Sequence, residues 1–585
     1  MNRSIGRRYL PLAAALGVQL LIIAVAPSEA PSTVDAAAVG DFTNGGTGDG
    51  TTDFGTGNNT SGTGGSDGSG GSSGSGGSGS GSGSGGAGGT TDGGGTGGGD
   101  GGGGTGQAAG DTSHCVNGRQ FDPAIDFYAP PCVPKFTGQN PGATYQGVTG
   151  DTITLVRYDD AGNAAVNEIL KASGSYVTAD QYRQFFAVAE KFINDHYELY
   201  GRKVKIKVVE GNCETIPPDD DCLRPEMQQI VRDHKPYFVW WNTSLSSTSF
   251  EELSKTGTPN AGGWHFRDEY NQRLRPYHWD VSISGTRIAQ HMGRWYCAQL
   301  HGKKAKYAME DSLANRDRLL GVISTNDVQN QSTVEVDLKN ELDKCGASFD
   351  NRTYFYAQDI STADSQRRAA VLRMRGSATT EADDATTVMC FCDLVAPIFL
   401  WQEEQTQSYY PENIVPGTGF MDRDSSAQPY SGDLGCPAPT QCPFDGAFGV
   451  MANSIEEPIN NDAGTRVWKA GGGQGPTPWE SGPLTREWDY LNMIATLIQA
   501  AGPNLNPATM EQGAFRLPPR GDATHVLRAF SPGNYAWNQD VQPVYWSPGT
   551  ASKYNGESGA YVPVGGRVGV NAWRPGEFNL PAFPR

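Results

Sequence analysis

From Asp151 onward the chain alternates between two hydrophobic periods, and that alternation limits its fold more than any other feature. Asp151-Thr-Ile-Thr-Leu-Val-Arg-Tyr158 is rich in β-branched residues, and Tyr182, Phe185, Phe186, Val188, Ala189, Phe192 and Ile193 then recur at helical spacing. Lys203-Val-Lys-Ile-Lys-Val-Val209 returns to period two, Met227, Ile230 and Val231 mark a short helix, and Tyr237-Phe-Val-Trp-Trp241 reads as a strand buried on both faces. The pattern goes on through a helix at 285–300, a strand Ala305–Met309, a helix at 331–344, a strand at 348–356, a helix at 362–375, a strand Thr386–Cys392 and a helix at 396–407. Strands alternating with helices predict the α/β class, with parallel sheets flanked by helices, and two such sets make two lobes. Ligands of open sheets of this kind bind beyond the carboxyl ends of the strands.

The segment before Asp151 is of a different kind. Of the 78 glycines in 585 residues, 34 fall in residues 41–110, and the tract 31–110 contains no Lys or Arg. Such a composition cannot bury enough apolar surface to offset chain entropy, so it reads as a disordered linker with a span of roughly 45 Å. The glycines have no period of three, which excludes collagen, and the net charge of −19 argues against a nucleic-acid partner. Residues 1–30 read as a signal peptide. Arg3, Arg7 and Arg8 precede the apolar stretch Leu10–Ala26, and Ser28-Glu29-Ala30 offers a cleavage site after Ala30. An uncleaved anchor is the alternative, its apolar run lying at the short edge for ~30 Å of hydrocarbon. No Cys follows the apolar run until Cys115, so a lipoprotein is not expected. The expected location is secreted, in the cell envelope.

Ten cysteines in an exported chain suggest disulfides. Local spacing favours Cys115–Cys132, stapling a lead-in segment 111–150, together with Cys213–Cys222, Cys297–Cys345 and Cys436–Cys442, which leaves Cys390 and Cys392. A metal site is the weaker reading, because there is no C-x-x-C and no paired His spacing. No cofactor is expected. No G-x-S-x-G, G-x-x-x-x-G-K-[ST] or H-E-x-x-H occurs, so enzyme activity is not expected. Asp219-Asp220-Asp221 reads as a solvated loop closed by a disulfide rather than a Ca²⁺ site, and Glu403-Glu404 and Asp383-Asp384 read as exposed helix charges.

Several segments, taken in order, carry a family likeness. They are Val148-Thr-Gly-Asp-Thr-Ile-Thr-Leu155, Ser361-Thr-Ala-Asp364 through Arg373, Tyr409-Tyr-Pro-Glu412, Trp488-Asp-Tyr-Leu-Asn-Met-Ile-Ala495 and Ala500-Ala-Gly-Pro-Asn-Leu-Asn-Pro507, with Phe515-Arg-Leu-Pro518 after them. On these motifs residues 151–520 resemble the type I periplasmic binding proteins, specifically the branched-chain amino-acid (leucine-binding) solute receptors of ABC transporters, in an actinobacterial-like form with a C-terminal extension. The resemblance implies two lobes joined by hinge crossovers, lobe 1 at about 151–281 and 418–520, and lobe 2 at about 282–417 plus part of the C-terminus. The extension 521–585 would pack on the lobes. It further implies a monomeric receptor that closes on a small-molecule solute, an amino acid or related small acid or amide, and delivers it to an ABC permease in the membrane. A wall-tethered sensor or interaction module on the same fold is the alternative.

The resemblance also places a candidate binding site. Ser246, Ser247 and Thr248 lie where the family bonds the ligand carboxylate, and each can equally cap the helix Phe250–Lys255. Asn260 and Ala261 fall in the next such loop. Thr418 and Gly419 lie where a family carboxylate holds the ligand ammonium; no acid stands there, and Asp393 is the candidate replacement or else a helix cap. Tyr158 and Asp159, after the first strand, complete the set. Trp240, Trp241 and Trp264 offer stacking surfaces, although core packing is the expected fate of Trp240 and Trp241.

Overall fold

The computed structural model describes residues 110–580 apart from 161–166, 169–170, 172–175, 242–245, 264, 360–361, 377–382, 433–434, 437–440 and 479–482. The expected signal peptide, the linker through residue 109, Asn242–Leu245 and Trp264 lie outside the described residues.

The first sheet is built from strands that each feed a helix. In order these are β1 (Thr152–Asp159), α1 (Ala179–His196), β2 (Lys203–Glu210), α2 (Asp220–His234), β3 (Phe238–Trp240), α3 (Ser247–Lys255), β4 (Asn260–Ala261), α4 (Asp268–Arg273) and β5 (His278–Trp279). The strands run parallel in the order β2-β1-β3-β4-β5. A capping box opens α1: Thr178 accepts from the Gln181 backbone, and the Gln181 side chain reaches back to the backbone of Thr178. The buried face of α1 is Tyr182, Phe185, Phe186, Ala189, Phe192 and Ile193, the residues whose spacing predicted the helix. Successive strand residues point to opposite faces. Thus Ile153, Leu155, Trp240 and Trp279 enter one core with α1, while Val156, Tyr158, Val239 and Trp241 enter another beneath α2 and α3.

The second sheet repeats the scheme. Its elements are α5 (Gly285–Trp295), β6 (Leu320–Thr325), α6 (Val328–Ser332), α7 (Lys339–Asp343), β7 (Thr353–Tyr356), α8 (Ala363–Met374), β8 (Thr387–Phe391), α9 (Ala396–Thr406), β9 (Glu412–Val415), α10 (Asp424–Ser431) and β10 (Phe448–Met451). The chain then returns to the first core through α11 (Ala463–Ala470), α12 (Pro483–Ala501) and α13 (Pro507–Ala514). It comes back to the second sheet as β11 (Asp540–Ala551) and β12 (Ser558–Pro563), with β13 (Val568–Gly569) paired to β11. The order is β12-β11-β10-β9-β8-β6-β7, parallel from β7 to β10, with β11 and β12 antiparallel. The chain is therefore a two-lobed α/β structure of parallel sheets flanked by helices. It crosses between the lobes near 280–283, 452–462 and 537–540.

Five expectations change. The strand expected at Ala305–Met309 is a turn, and the strand of this region is Leu320–Thr325, all six residues buried. The return to lobe 1, expected at 418, comes only after β10, because Phe448–Met451 pairs with β9 and not with the first sheet. Residues 521–585 do more than pack on the lobes, since β11 and β12 continue the second sheet. Glu403, Glu404 and Asp384 are buried rather than exposed: the two glutamates lie on the covered side of α9, and Asp384 belongs to the buried run that leads into β8. Asp219 caps α2 by accepting from the Cys222 N–H (3.0 Å), so the acidic triplet opens a helix. The four favoured disulfides form, and the remaining Cys390 and Cys392 pair with each other at the end of β8. No described helix is long and apolar enough to cross a membrane.

Candidate functional site

The strand ends of the two sheets face one another. Past β4 the backbone turns through Gly262 and Gly263, and His265 follows with φ +59°. Its Nδ1 lies 2.7 Å from the Ile283 carbonyl, which only accepts, so Nδ1 carries the proton. Nε2 is then free to accept the Gly419 N–H at 3.3 Å, from the loop after β9. Burial holds the His265 pKa down at about 4, so this contact between lobes uses a neutral ring. Gly419 is required where it stands: φ is +56°, and a Cβ would sit 2.7 Å from the Cys392 carbonyl. A second tie lies alongside. Arg267, before α4, forks onto Asp337 of the other lobe at 2.8 and 3.2 Å, and Thr286 donates to the same carboxylate.

On the first lobe, β1 sends Arg157 and Asp159 to the face shared with α12. The Arg157 guanidinium is buried. It donates to Asp159 (2.9 Å) and to Glu487 of α12 (3.1 Å) and lies over the Tyr182 ring, 4.1 Å from its centre. The Trp240 indole N–H donates to the other oxygen of Glu487 (3.3 Å). Burial pushes the Asp159 carboxyl up to about 6 although Arg157 opposes it.

On the second lobe the loop after β9 carries Phe420, buried and at φ +59°. Two guanidinium carbons flank this ring. Arg423, just before α10, is 5.1 Å from its centre, and Arg486, in the first turn of α12 on the other lobe, is 4.7 Å away. Both arginines are half-buried. Among the described residues neither guanidinium has an ion-pair or hydrogen-bond partner, and the Nε atom of each is buried without an acceptor.

The ten expected residues divide sharply. Asp159, Thr418 and Gly419 lie at this junction; the Thr418 hydroxyl donates to the Cys392 carbonyl (3.4 Å). The others face elsewhere. Tyr158 points into the helix layer and donates to Glu226 of α2. Asn260 is consumed in the core, donating to Ser254 (3.1 Å) and the Thr258 carbonyl (2.9 Å) and bonding His278 (2.7 Å) through its oxygen. Ala261 is buried between Trp240 and Trp279 of the neighbouring strands. The Ser246 hydroxyl donates to Asp220 (2.7 Å), while Ser247 and Thr248 begin α3, with the Ser247 carbonyl taking the Tyr270 hydroxyl. Asp393 is a cap. One oxygen accepts the Val395 and Ala396 N–H groups (2.6 and 2.9 Å), and the other accepts from Tyr356 (2.8 Å) and Gln358 (3.3 Å), which leaves little capacity for an ammonium. Trp240 and Trp241 are core residues.

The arginines, Phe420 and His265 were not anticipated. The available signal was Arg486-Glu487, an adjacent pair of charges in the first turn of a long helix. No group of described residues is arranged to hold a metal ion.

No protein-family model and no curated protein matches the sequence. Solved structures do. An ABC-transporter solute-binding protein from R. palustris in complex with 4-hydroxybenzoate is 11% identical, with a TM-score of 0.49 over 72% of this chain and 99% of that one. A possible leucine/isoleucine/valine-binding protein from Rhodopirellula baltica SH 1 is 12% identical, with a TM-score of 0.48 over 70% and 96%. A branched-chain amino-acid ABC transporter protein from Thermus thermophilus with bound valine is 10% identical, with a TM-score of 0.48 over 72% and 98%.

Proposed function

We propose that the chain is an extracytoplasmic solute-binding receptor whose two lobes close on a small molecule at the carboxyl ends of their strands, and that it hands this solute to an ABC permease. One observation carries the reading. The loops after β4 and β9, from different sheets, meet at His265 and Gly419, and beside that meeting polar groups from both lobes, Arg486 and Arg423, point at one buried ring without protein partners. Strand ends are where open parallel sheets hold ligands, and three crossovers let two lobes move as rigid bodies about a hinge. Asp159, Thr418 and Gly419 border the site in this reading. The five disulfides fit an oxidising compartment, and the glycine-rich tract would serve as a tether from the envelope.

The test starts from protein purified under native conditions. Mass spectrometry after denaturation should find a co-purified small molecule. Adding that molecule back to the stripped protein should lower the radius of gyration measured by small-angle X-ray scattering. Protein that carries no solute and does not contract with any member of a broad metabolite panel would refute the receptor reading and leave the tethered interaction module.

A further inference from the structure

The receptor reading leaves the solute's chemistry open, and the two arginines at Phe420 narrow it. A guanidinium offers five donors and cannot shed its charge. Proteins give such groups acceptors when they draw them inward, because an unmet buried donor costs stability. Among the described residues the other deeply buried arginines each hold at least one acceptor. Arg157 is held by Glu487, Arg318 by Glu412, Arg528 by Asp489 and Arg567 by Asp540, while Arg202 meets three backbone carbonyls. Arg423 and Arg486 are the departures among the described residues, and both stand against the same ring. Their distances from the ring centre keep the two cations within about 10 Å of each other, roughly one Debye length, so they repel.

The acids near them are engaged elsewhere. Asp422 accepts the Ala452 N–H and both the backbone and side-chain N–H groups of Asn453. Glu456 takes the Ser425 N–H and hydroxyl, Glu487 serves Arg157 and Trp240, and Asp489 serves Arg528. One turn beyond Arg486 on the same helix face, the fully buried Tyr490 hydroxyl also has no hydrogen-bond partner.

We infer that the solute carries a singly charged carboxylate, received by Arg423 from one lobe and Arg486 from the other at the edge of Phe420. This rests on the receptor reading of the same cleft. Planar carboxylates match the guanidinium fork and form its strongest hydrogen bonds. Four carboxylates already surround the pair, which disfavours a doubly charged phosphate against a monoanion. Because the arginines sit on different lobes, a bound carboxylate cancels a repulsion that opposes closure, so it binds the closed form preferentially and draws the equilibrium that way.

The experiment compares wild type, Arg423→Gln and Arg486→Gln at low ionic strength by thermal unfolding. Sodium acetate and benzoate are the probes, acetamide and benzamide their neutral counterparts, with chloride holding ionic strength constant. The acids should raise the wild-type Tm and the amides should not, and each substitution should weaken the acid response at least tenfold. Without any probe, each Gln variant should melt at or above the wild-type temperature, since it loses an unmet cation. Amides that act as well as acids, variants that respond like wild type, or variants that both melt lower without a probe would overturn the carboxylate site. Contraction of the wild type on a neutral or cationic solute keeps the receptor and overturns this inference. An acetate response that needs both arginines but brings no contraction keeps the anion site and overturns the receptor.

Discussion

Replacing Glu404 by glutamine should stabilise this protein at alkaline pH and leave it unchanged in acid. Glu404 lies on α9, fully buried. One carboxyl oxygen accepts from Asn413 (2.9 Å), and the other is buried without a partner. Burial drives its pKa from 4.5 up to about 8, against the opposing bond from Asn413. In the unfolded chain the group ionises near 4.5, so between that pH and 8 the folded state binds the extra proton. Stability from this group is therefore fully present below 4.5 and falls as pH rises, by about 1.4 kcal/mol per unit over about 3.5 units, a total of roughly 3–5 kcal/mol. Glutamine has the same shape and no charge to desolvate; with its oxygen on Asn413 its NH2 group brings two donors where the protonated acid brings one. The assay is urea and thermal unfolding of wild type and E404Q from pH 4.5 to 8.5, with the difference between the two cancelling every other titration. We expect the proteins to agree within about 1 kcal/mol at pH 4.5 and E404Q to lead at pH 8.5, its Tm higher by roughly 6–12 °C. A difference that is flat in pH, or a less stable E404Q at pH 8.5, refutes the argument.

Three further outcomes follow from the same structure. Arg157→Met strands Glu487 in the first core and should cost about 3–5 kcal/mol in urea unfolding, with much of that regained in Arg157→Met/Glu487→Leu; a loss under 1 kcal/mol would show that the network is not what joins β1 to α12. Removing Cys297–Cys345, which closes a loop of 48 residues, should cost about 4 kcal/mol by loop entropy, read as the shift in the urea midpoint under non-reducing conditions. His278 is buried and neutral, its pKa lowered to about 3, so its contribution is intact above 6.5 and is lost as pH falls below that value. His278→Gln should accordingly lose about 1.4 kcal/mol less per pH unit than wild type between pH 6.5 and 4; equal slopes would mean that the imidazole is charged in the folded state.

Local pattern determined much of this protein. Period-two and period-3.6 hydrophobic runs place β1, α1, β2 and β3 because side chains must alternate about a strand and gather on one stripe of a helix, whatever the rest of the chain does. Most of the cysteine pairs follow from short spacing, which keeps partners close, whereas Cys297–Cys345, 48 residues apart, joins two helix ends. Burial of charge was not legible. Glu403-Glu404 has the composition of an exposed helix face, and only the packing of α9 against its neighbours takes both residues out of water. The lobe boundary failed likewise, because Phe448–Met451 is apolar enough for either sheet and its partner is chosen by β9 and β11. The binding cleft was least accessible of all. Asn260 and Asp393 carry the right chemistry at the right places in the chain, yet their hydrogen bonds are spent on neighbouring core and backbone groups. Arg423 and Arg486 are 63 residues apart in the chain and belong to different lobes. Their meeting at Phe420 is set by how the sheets face each other, a long-range property that no local period encodes.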